Sequence, residues 1–415
     1  MRILILSQYF WPENFRINDL VTELVQRGHK ITVLTGLPNY PDGDIFPEFR
    51  ARPQDFMNFS GAEVLRVPLI RRGSSKIRLA LNYISFAFSA SIIGLWKLRG
   101  SEFDAIFTCQ LSPATVGIPG VFFRFIKRAP MIFWVLDLWP ESLRAVNVIR
   151  SPTALKWVGN MMTYIYNRCD LILVQSKAFI PHIRIYAKKK LDIKYFPSWA
   201  ENIFELNDVQ PAPELASKAR KFNVMFAGNI GDAQDFPAIL AAADQLKSNT
   251  AIRWLILGEG RASNWVNSEI KRRDLDDCFL MLGRYPLERM PSFFKHADVL
   301  LVSLKPEPIF AMTIPGKLQS YLAAGVPIVA MLNGEGADIV KKSKAGLSCD
   351  AGDHKALAAA VLRISQMTGA ERELMGNNGK NYSADQFDRK LLIDRLDGWL
   401  KELHLRNLQS KIRDH

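Results

Sequence analysis

Short apolar runs alternate with longer amphipathic segments along almost the whole chain, and this alternation limits the folds that it can adopt. In the first half, the runs predicted as strands are residues 2–7, 31–35, 63–67, 104–108, 131–136 and 171–175. Segments with helical periodicity lie between them, for example 18–27 and 114–126. Near-continuous apolar strands that alternate with helices indicate a parallel sheet covered on both faces.

The second half repeats this pattern after a polar, proline-containing segment at 195–218, which is typical of a linker between domains. Its predicted strands are 223–227, 252–257, 279–282, 299–304 and 327–331. We therefore predict an α/β protein with two doubly wound, Rossmann-like domains, 1–197 and 198–385, which face each other across a cleft. Ligands of such sheets bind at the carboxyl ends of strands, so the cleft is expected to hold the site. Leucines near i, i+4 spacing predict a final helix within 386–415, which we expect to cross back to the first domain.

Composition excludes several other classes of protein. The chain has 415 residues, of which 48% are apolar and 23% charged, as in an ordinary globular protein. Its four cysteines are scattered singly, which argues against a zinc ribbon or a redox pair and favours reduced thiols in the cytoplasm. The first residues lack the long apolar core of a signal peptide and are predicted to form a buried strand instead.

Positive charge is concentrated in the first half of the chain. Residues 1–200 contain 26 Lys and Arg against 14 Asp and Glu, whereas residues 201–415 contain 28 against 27. A basic surface on one side of a protein usually contacts nucleic acid or an anionic membrane. No nucleic-acid recognition motif accompanies the charge, so we expect the anionic surface of the inner membrane as the partner.

Residues 79–96 form an uncharged stretch, with basic residues before and after it. Its 18 residues are at the lower limit for a membrane span, and one asparagine and three serines make it a poor one. The sequence favours a helix at the membrane surface, while a true span and a simple buried helix remain open. This predicts a cytoplasmic protein that associates peripherally with the inner membrane.

Glycine-rich turns follow three predicted strands of the second half. Their sequences are GNIG at 228–231, LGEGR at 257–261 and LGRYP at 282–286. Glycine allows backbone N–H groups to approach a phosphate, arginine can bind a diphosphate, and an aromatic ring can stack on a base. The candidate donor-binding residues in these turns are Gly228, Asn229, Gly231, Gly258, Arg261, Arg284 and Tyr285.

A helix is also predicted in the fourth element, TIPGKLQSYLAAGVPI at 313–328. Thr313 is the predicted cap of this helix, and Gly325 is its predicted end. Lys317 falls in the first turn, where a cation is unfavourable next to the positive end of the helix dipole. A bound anion explains that placement, so Thr313, Lys317 and Gln319 complete the predicted donor site.

The order of these four motifs resembles the family 4 retaining glycosyltransferases, which have the GT-B fold. The first half agrees through QYFWPE at 8–13, TGLPNYP at 35–41 and DLWPES at 137–142. This set is similar to the WbuB-like branch, which transfers N-acetyl-L-fucosamine in bacterial O-antigen and capsule assembly. The resemblance covers essentially the whole chain.

The resemblance implies a nucleotide-sugar donor, such as a UDP-sugar, held by the second domain. It implies a polyprenyl-diphosphate-linked acceptor held by a membrane-facing first domain. In such enzymes the acceptor hydroxyl attacks from the side that the nucleoside diphosphate leaves, and the β-phosphate takes the proton. Lys317 is then expected to stabilise the departing charge, and Asp137 or Glu13 to orient the acceptor hydroxyl.

Some positions depart from the family pattern. Met312 and Ser320 occupy the places of two glutamates that are eight residues apart in many members, and Asn229 replaces an arginine. Two DxD matches, at 42–44 and 274–276, are best explained by chance, and we expect no cofactor and no essential metal. A nucleotide-sugar 2-epimerase and a non-catalytic transferase-like protein remain alternatives.

Overall fold

The structure, a computed structural model, describes residues 1–41, 43–73, 75–145, 149–187, 191–205, 209–216 and 220–413. The chain forms two compact units. The first contains Met1–Pro197 together with the residues from Lys390 onwards, and the second contains Ser198–Arg389. Each unit is built around its own sheet.

The first unit contains an eight-stranded sheet in which every strand except β3 is parallel to its neighbours. Its strands are β1 (Arg2–Leu6), β2 (Lys30–Gly36), β3 (Asn58–Phe59), β4 (Ala62–Val67), β5 (Ala105–Gln110), β6 (Met131–Val135), β7 (Leu171–Val174) and β8 (Ile193–Tyr195). They lie in the order β3-β4-β2-β1-β5-β6-β7-β8. The central strands β5 and β6 are buried throughout, which explains their almost continuous apolar sequence.

Within the described residues, seven α-helices of this unit precede the linker. They are α1 (Arg16–Gln26), α2 (Pro47–Ala51), α3 (Lys76–Lys97), α4 (Gly117–Lys127), α5 (Glu141–Ala145), α6 (Pro152–Tyr166) and α7 (Phe179–Tyr186). The longest, α3, begins at the capping residue Ser75, whose side chain accepts a hydrogen bond from the Arg78 amide. Helix α6 has the same kind of cap, formed by Ser151, followed by a proline in its first turn.

The second unit contains a six-stranded parallel sheet in the order β11-β10-β9-β12-β13-β14. Its strands are β9 (Phe222–Ala227), β10 (Ile252–Leu257), β11 (Phe279–Gly283), β12 (Val299–Ser303), β13 (Ile328–Met331) and β14 (Gly346–Cys349). Its helices are α8 (Pro213–Ala216), α9 (Phe236–Leu246), α10 (Ser263–Arg272), α11 (Met290–Phe294), α12 (Pro308–Met312), α13 (Gly316–Ala324), α14 (Glu335–Ser343), α15 (His354–Ser365) and α16 (Gly369–Gln386). Helices α9 and α15 bury their apolar faces in a core that includes Phe226, Trp254 and Leu301.

The last helix, α17 (Arg389–Arg413), packs within the first unit. It buries Leu392, Ile393, Leu396 and Leu400, while Leu391 faces solvent. Polar contacts fix the helix as well, because the Asp397 carboxylate lies 2.8 Å from His29 Nε2 and Asp394 accepts a 2.8 Å hydrogen bond from Arg27.

The predicted fold class is confirmed, and the strands predicted from apolar runs lie within two residues of the observed ones. Strands β3, β8 and β14 were not predicted. Each is at a sheet edge, has at most four residues and is not fully buried, so its sequence has no continuous apolar run. Residue 42 of the first DxD match and the lysines at 188–190 lie outside the described residues.

Candidate functional site

Three neighbouring strands of the second unit end in glycines with positive φ. Gly228 follows β9 with φ +143°, Gly258 follows β10 with φ +133°, and Gly283 ends β11 with φ +79°. The strands are parallel, so these turns share one sheet edge. A Cβ on Gly258 would lie 1.9 Å from the Gly228 carbonyl oxygen. Only glycine therefore allows the first two turns to pack this closely, with their backbone exposed at the edge of the sheet.

Helix α13 is joined to the same edge by Tyr321. The Tyr321 hydroxyl is buried, accepts a hydrogen bond from the Ala227 amide at 2.9 Å and donates one to the Ala227 carbonyl at 3.1 Å. These two bonds fix the helix against the residue that precedes Gly228. As a result, the first turn of α13 lies beside the glycine turn.

Lys317 extends from that first turn over the end of β9. Its ammonium nitrogen lies 3.6 Å from the centre of the Phe226 ring, and 3.1 Å from the place where a Cβ on Gly228 would be. The nitrogen is buried and has no hydrogen-bond partner among the residues that the structure describes. Burial lowers the pKa of Lys317 to about 7.

A buried lysine without a carboxylate or carbonyl partner is costly for a protein to keep. Here it lies beside two glycine turns and at the N-terminal end of a helix, both of which attract anions. A phosphate placed there would contact backbone N–H groups and restore the lysine's charge. The arrangement can therefore bind a phosphate or diphosphate and stabilise negative charge on it.

Four other residues that were predicted to bind the donor follow these turns closely in the chain, namely Asn229, Gly231, Arg261 and Arg284. Asn229 follows Gly228, and its side chain lies against Gly231 and Gly260. Arg261 and Arg284 follow the second and third turns, are exposed, and form no ion pair with any residue in the described part of the chain. Their guanidinium groups are free to bind an anion.

The predicted cap of α13 is wrong. Thr313 donates its hydroxyl to the Ile309 carbonyl at 2.8 Å and thereby closes the preceding helix α12, while Pro315 caps α13. The sequence TIPG fits both arrangements, since threonine can also donate to a carbonyl four residues earlier. Thr313 therefore contributes to the shape of the segment before the helix.

Tyr285 and Gln319 are engaged by neighbours within the second unit. The Tyr285 ring packs on Phe293, with ring centres 4.4 Å apart, and lies under the Arg289 guanidinium. Gln319 is buried and donates to the Ser198 carbonyl at 2.9 Å, leaving its own carbonyl oxygen without a partner among the described residues. Packing and stacking on a base were both open for Tyr285 from the sequence, and in this structure its ring packs on Phe293.

Glu201 contacts helix α13, although no sequence motif included it. Its carboxylate accepts a 2.7 Å hydrogen bond from Ser320, at the position where the resemblance implied a glutamate. A residue near the start of the second unit therefore brings a carboxylate to this face of α13. Glu201 lies more than 100 residues from Ser320 in the chain, so no local pattern could have indicated this pair.

In the first unit, Glu13 fixes two loops that follow β1 and β2. Its carboxylate accepts hydrogen bonds from the amides of Phe10, Asn39 and Tyr40 at 3.0, 2.8 and 2.7 Å. Burial raises the pKa of Glu13 to about 7, although these amides and the buried Arg66 favour its charged form. With both oxygens engaged, the carboxylate shapes the loops rather than standing free as a base.

Asp137 lies at the same edge of the first sheet, just after β6. It accepts a hydrogen bond from the Trp139 indole at 2.9 Å, and its backbone carbonyl accepts one from Gln110 at 2.6 Å. Burial raises the pKa of Asp137, whereas the hydrogen bond from Trp139 opposes this change. The carboxyl is thus held by its neighbours at the carboxyl end of a central strand.

Helix α3 has an exposed apolar stripe. Ile77, Leu81, Ile84, Phe88, Ile92 and Trp96 follow helical spacing, and all are at least 45% exposed. The opposite face, which includes Phe86 and Ala90, is buried in the first unit. In the described part of the chain, α3 is the one helix long and apolar enough to cross a membrane, and 39% of its apolar window is buried.

The described residues of the two DxD matches differ in their surroundings. Asp44 is exposed and lies 3.7 Å from Arg71, while Leu275, between the aspartates of the second match, is fully buried. Among the described residues, no group of three or more His, Cys, Asp or Glu side chains could hold a metal ion.

Comparison with known proteins identifies the class. Residues 221–367 match the family model of glycosyl transferases group 1. The chain is 25% identical to WcaI of Escherichia coli over 78% of this chain and 82% of that one. The name of WcaI describes it as a glycosyl transferase of colanic acid biosynthesis. AmsK of Erwinia amylovora, an amylovoran biosynthesis glycosyltransferase, is 31% identical over 27% of this chain and 28% of its own.

Solved structures agree with this fold. Sucrose-phosphate synthase from Thermosynechococcus elongatus superimposes with a TM-score of 0.71 at 17% identity, covering 98% of this chain and 99% of that one. Anabaena HepE, solved with UDP and glucose, gives 0.67 at 16% identity, covering 97% and 99%. The fold is GT-B, and the chain is a glycosyltransferase. Its second unit contains the group 1 domain, which includes the glycine turns and Lys317.

Proposed function

We propose that this enzyme transfers a sugar, N-acetyl-L-fucosamine, from a UDP-sugar to a polyprenyl-diphosphate-linked saccharide during bacterial O-antigen or capsule synthesis. The observation that carries the donor half of the proposal is Lys317, a buried ammonium beside two glycine turns with no hydrogen-bond partner among the described residues. HepE, which has the same fold, was solved with UDP and glucose. The names of WcaI and AmsK place both relatives in polysaccharide synthesis and support the acceptor class.

The proposed reaction proceeds with retention of configuration. The acceptor hydroxyl attacks the anomeric carbon from the side that UDP leaves, the bond from carbon to the β-phosphate oxygen breaks, and that phosphate takes the hydroxyl proton. Lys317, Arg261 and Arg284 stabilise the departing diphosphate, with the backbone N–H groups beside Gly228 and Gly258. Asp137 and Glu13 hold the loops that position the acceptor.

A transfer assay tests this proposal. Purified protein in detergent is incubated with a polyprenyl-diphosphate-linked N-acetylglucosamine acceptor, a chelator and each member of a panel of nucleotide sugars. We expect transfer from UDP-N-acetyl-L-fucosamine and none from GDP-sugars. If the protein binds UDP but transfers no sugar, the acceptor is wrong, and absence of UDP binding would remove the donor assignment as well.

The exposed stripe of α3 supports a location on the cytoplasmic face of the inner membrane. Helices α3, α4 and α6 all have exposed apolar residues, which on α4 and α6 are Ile118, Phe125, Ile126, Trp157 and Tyr164. Basic residues lie at both ends of α3, including Arg78 at its start and Lys97 at its end. An apolar face bordered by cations fits the surface of an anionic bilayer.

We expect Ile84→Asp/Phe88→Asp to weaken binding to vesicles that contain phosphatidylglycerol at least tenfold. Each of these side chains gains about 1.5–3 kcal/mol on full burial, and a carboxylate repels the lipid headgroups. Sedimentation with vesicles measures the effect, with Leu374→Asp, an equally exposed apolar position in the second unit, as the control. Equal binding of both variants would contradict this location.

A further inference from the structure

A cavity of about 380 Å³ in the first unit is lined by arginines and is separate from the glycine turns. It lies between the loop at residues 43–44 and the segment that leads into α3. Arg71, Arg72 and Arg78 line it, together with Asp44 and the capping residue Ser75. A cavity with three guanidinium groups is suited to an anion larger than a single water molecule or chloride ion.

Among the described residues, one carboxylate faces the three guanidinium groups of this cavity. It is that of Asp44, which lies 3.7 Å from Arg71 and 3.9 Å from Arg50. Arg72 contacts neutral groups, donating to the Tyr9 hydroxyl at 3.3 Å and lying over the Tyr40 ring. In the described part of the chain, Arg78 forms no ion pair. An anion in the cavity would relieve the repulsion between these cations.

The helix behind the cavity adds to its preference for anions. Helix α3 has 22 residues and no acidic residue in its first turn, where Lys76 and Arg78 occur instead. Cations are unfavourable at the positive end of a helix dipole, whereas an anion is favourable there. Lys76 and Arg78 therefore interact unfavourably with the start of α3 unless a negative group lies in front of it.

Gly43 allows the loop at residues 43–44 to form one wall of this cavity. Gly43 has φ +91°, and a Cβ there would lie 2.1 Å from the Arg72 carbonyl oxygen. Glycine therefore lets the loop lie directly against the arginine segment. The Arg72 amide also donates to the Asn39 side chain at 3.2 Å, which links the cavity to the loop that Glu13 holds.

The position of the cavity indicates which anion it takes. It lies at the start of α3, and the exposed apolar stripe of that helix begins at Ile77, in the same first turn as the lining residue Arg78. A ligand bound here would have its charged group in the cavity and an apolar chain along the stripe. A free phosphate would use only the first of these two features.

We propose that this cavity binds the diphosphate of the lipid-linked acceptor, with Arg71 and Arg78 on the phosphate oxygens and Arg72 fixed in place by Tyr9 and Tyr40. This inference rests on the proposed function, because it concerns the acceptor of that reaction. It adds a specific diphosphate site, in the first unit, to the general attraction of a basic surface to the membrane.

The test measures lipid binding and needs neither a donor nor turnover. Polyprenyl diphosphate, polyprenyl monophosphate and the free polyprenol are each embedded in phosphatidylcholine nanodiscs, and the affinity of the full-length protein is measured. Arg71→Gln/Arg78→Gln removes two charges from the cavity and leaves the packed Arg72 intact. Arg2→Gln/Lys30→Gln removes two exposed charges at the amino ends of β1 and β2 and serves as the matched control.

We expect the cavity variant to bind the diphosphate lipid at least tenfold more weakly than the wild type, and the control to be unchanged. Both variants should keep the wild-type circular dichroism and Tm, because the substituted side chains are exposed. Unchanged affinity of the cavity variant would overturn the proposal. An equal loss on phosphatidylglycerol vesicles without polyprenyl lipid would also overturn it, since the cavity would then bind ordinary headgroups. If no sugar is transferred in the enzyme assay, the proposed function fails while this binding result still stands.

Discussion

Replacing Lys317 by methionine is expected to lower kcat/KM about 10²- to 10³-fold, the usual cost of losing one group that stabilises transition-state charge. Methionine keeps the apolar stem over the Phe226 ring and removes only the ammonium group. UDP affinity, measured by calorimetry, should fall as well, since the ammonium is expected to contact the diphosphate before and during transfer. Lys341→Met, at an exposed position on α14, is the control.

The same substitution is expected to raise Tm. The Lys317 ammonium is buried with no hydrogen-bond partner in the described part of the chain, and an apolar replacement removes the cost of burying its charge. The unfolded chain keeps the lysine proton up to about pH 10.4, whereas the folded protein releases it near pH 7. Between these values the unfolded state binds more protons, so the stability of the wild type should rise with pH there. A lower Tm for Lys317→Met would indicate a structural role for the ammonium instead.

Replacing Glu13 by alanine is expected to destabilise the first unit by about 3–5 kcal/mol. Three backbone amides would lose their acceptor, at about 1–3 kcal/mol for each unsatisfied buried donor, and Arg66 would lose the carboxylate that favours its charged form. For a unit of this size, Tm should fall by roughly 10 °C. Thermal unfolding followed by circular dichroism measures the change.

Glu48→Ala, an exposed position in the first turn of α2, is the control for that experiment and should leave Tm within 1–2 °C, about the effect of an ordinary surface substitution. Activity separates the role that the sequence predicts for Glu13, orienting the acceptor hydroxyl, from the loop-holding role that its hydrogen bonds indicate. If the alanine variant keeps its stability but loses kcat, the carboxylate acts on the substrate. The three filled hydrogen bonds support the loop-holding role.

The sequence predicted the fold and the glycine turns at the strand ends well because both depend on local patterns. Fully buried parallel strands require continuous apolar runs, and turns with positive φ require glycine, so Gly228 and Gly258 could be found from their neighbours alone. The unfavourable position of Lys317 in a first helical turn was also visible. Its burial without a partner is the structural counterpart of that signal.

The remaining features depend on contacts between distant residues. Ser320 meets Glu201 across 119 positions, and Glu13 meets Asn39 across 26, so neither partner follows from a motif. Thr313 was misassigned because one short polar residue can serve the helix on either side of it. The arginine cavity likewise forms only when the loop of Gly43 reaches the segment before α3.

The measurement that tests the central claim most directly is the anomeric configuration of the product formed with a chelator present. Nuclear magnetic resonance of the transferred sugar gives its configuration without reference to any variant. We predict that the product keeps the configuration of the UDP-sugar donor and that chelation leaves the rate unchanged. A product of inverted configuration, or a rate that disappears with the chelator, would contradict transfer driven by Lys317 and the glycine turns.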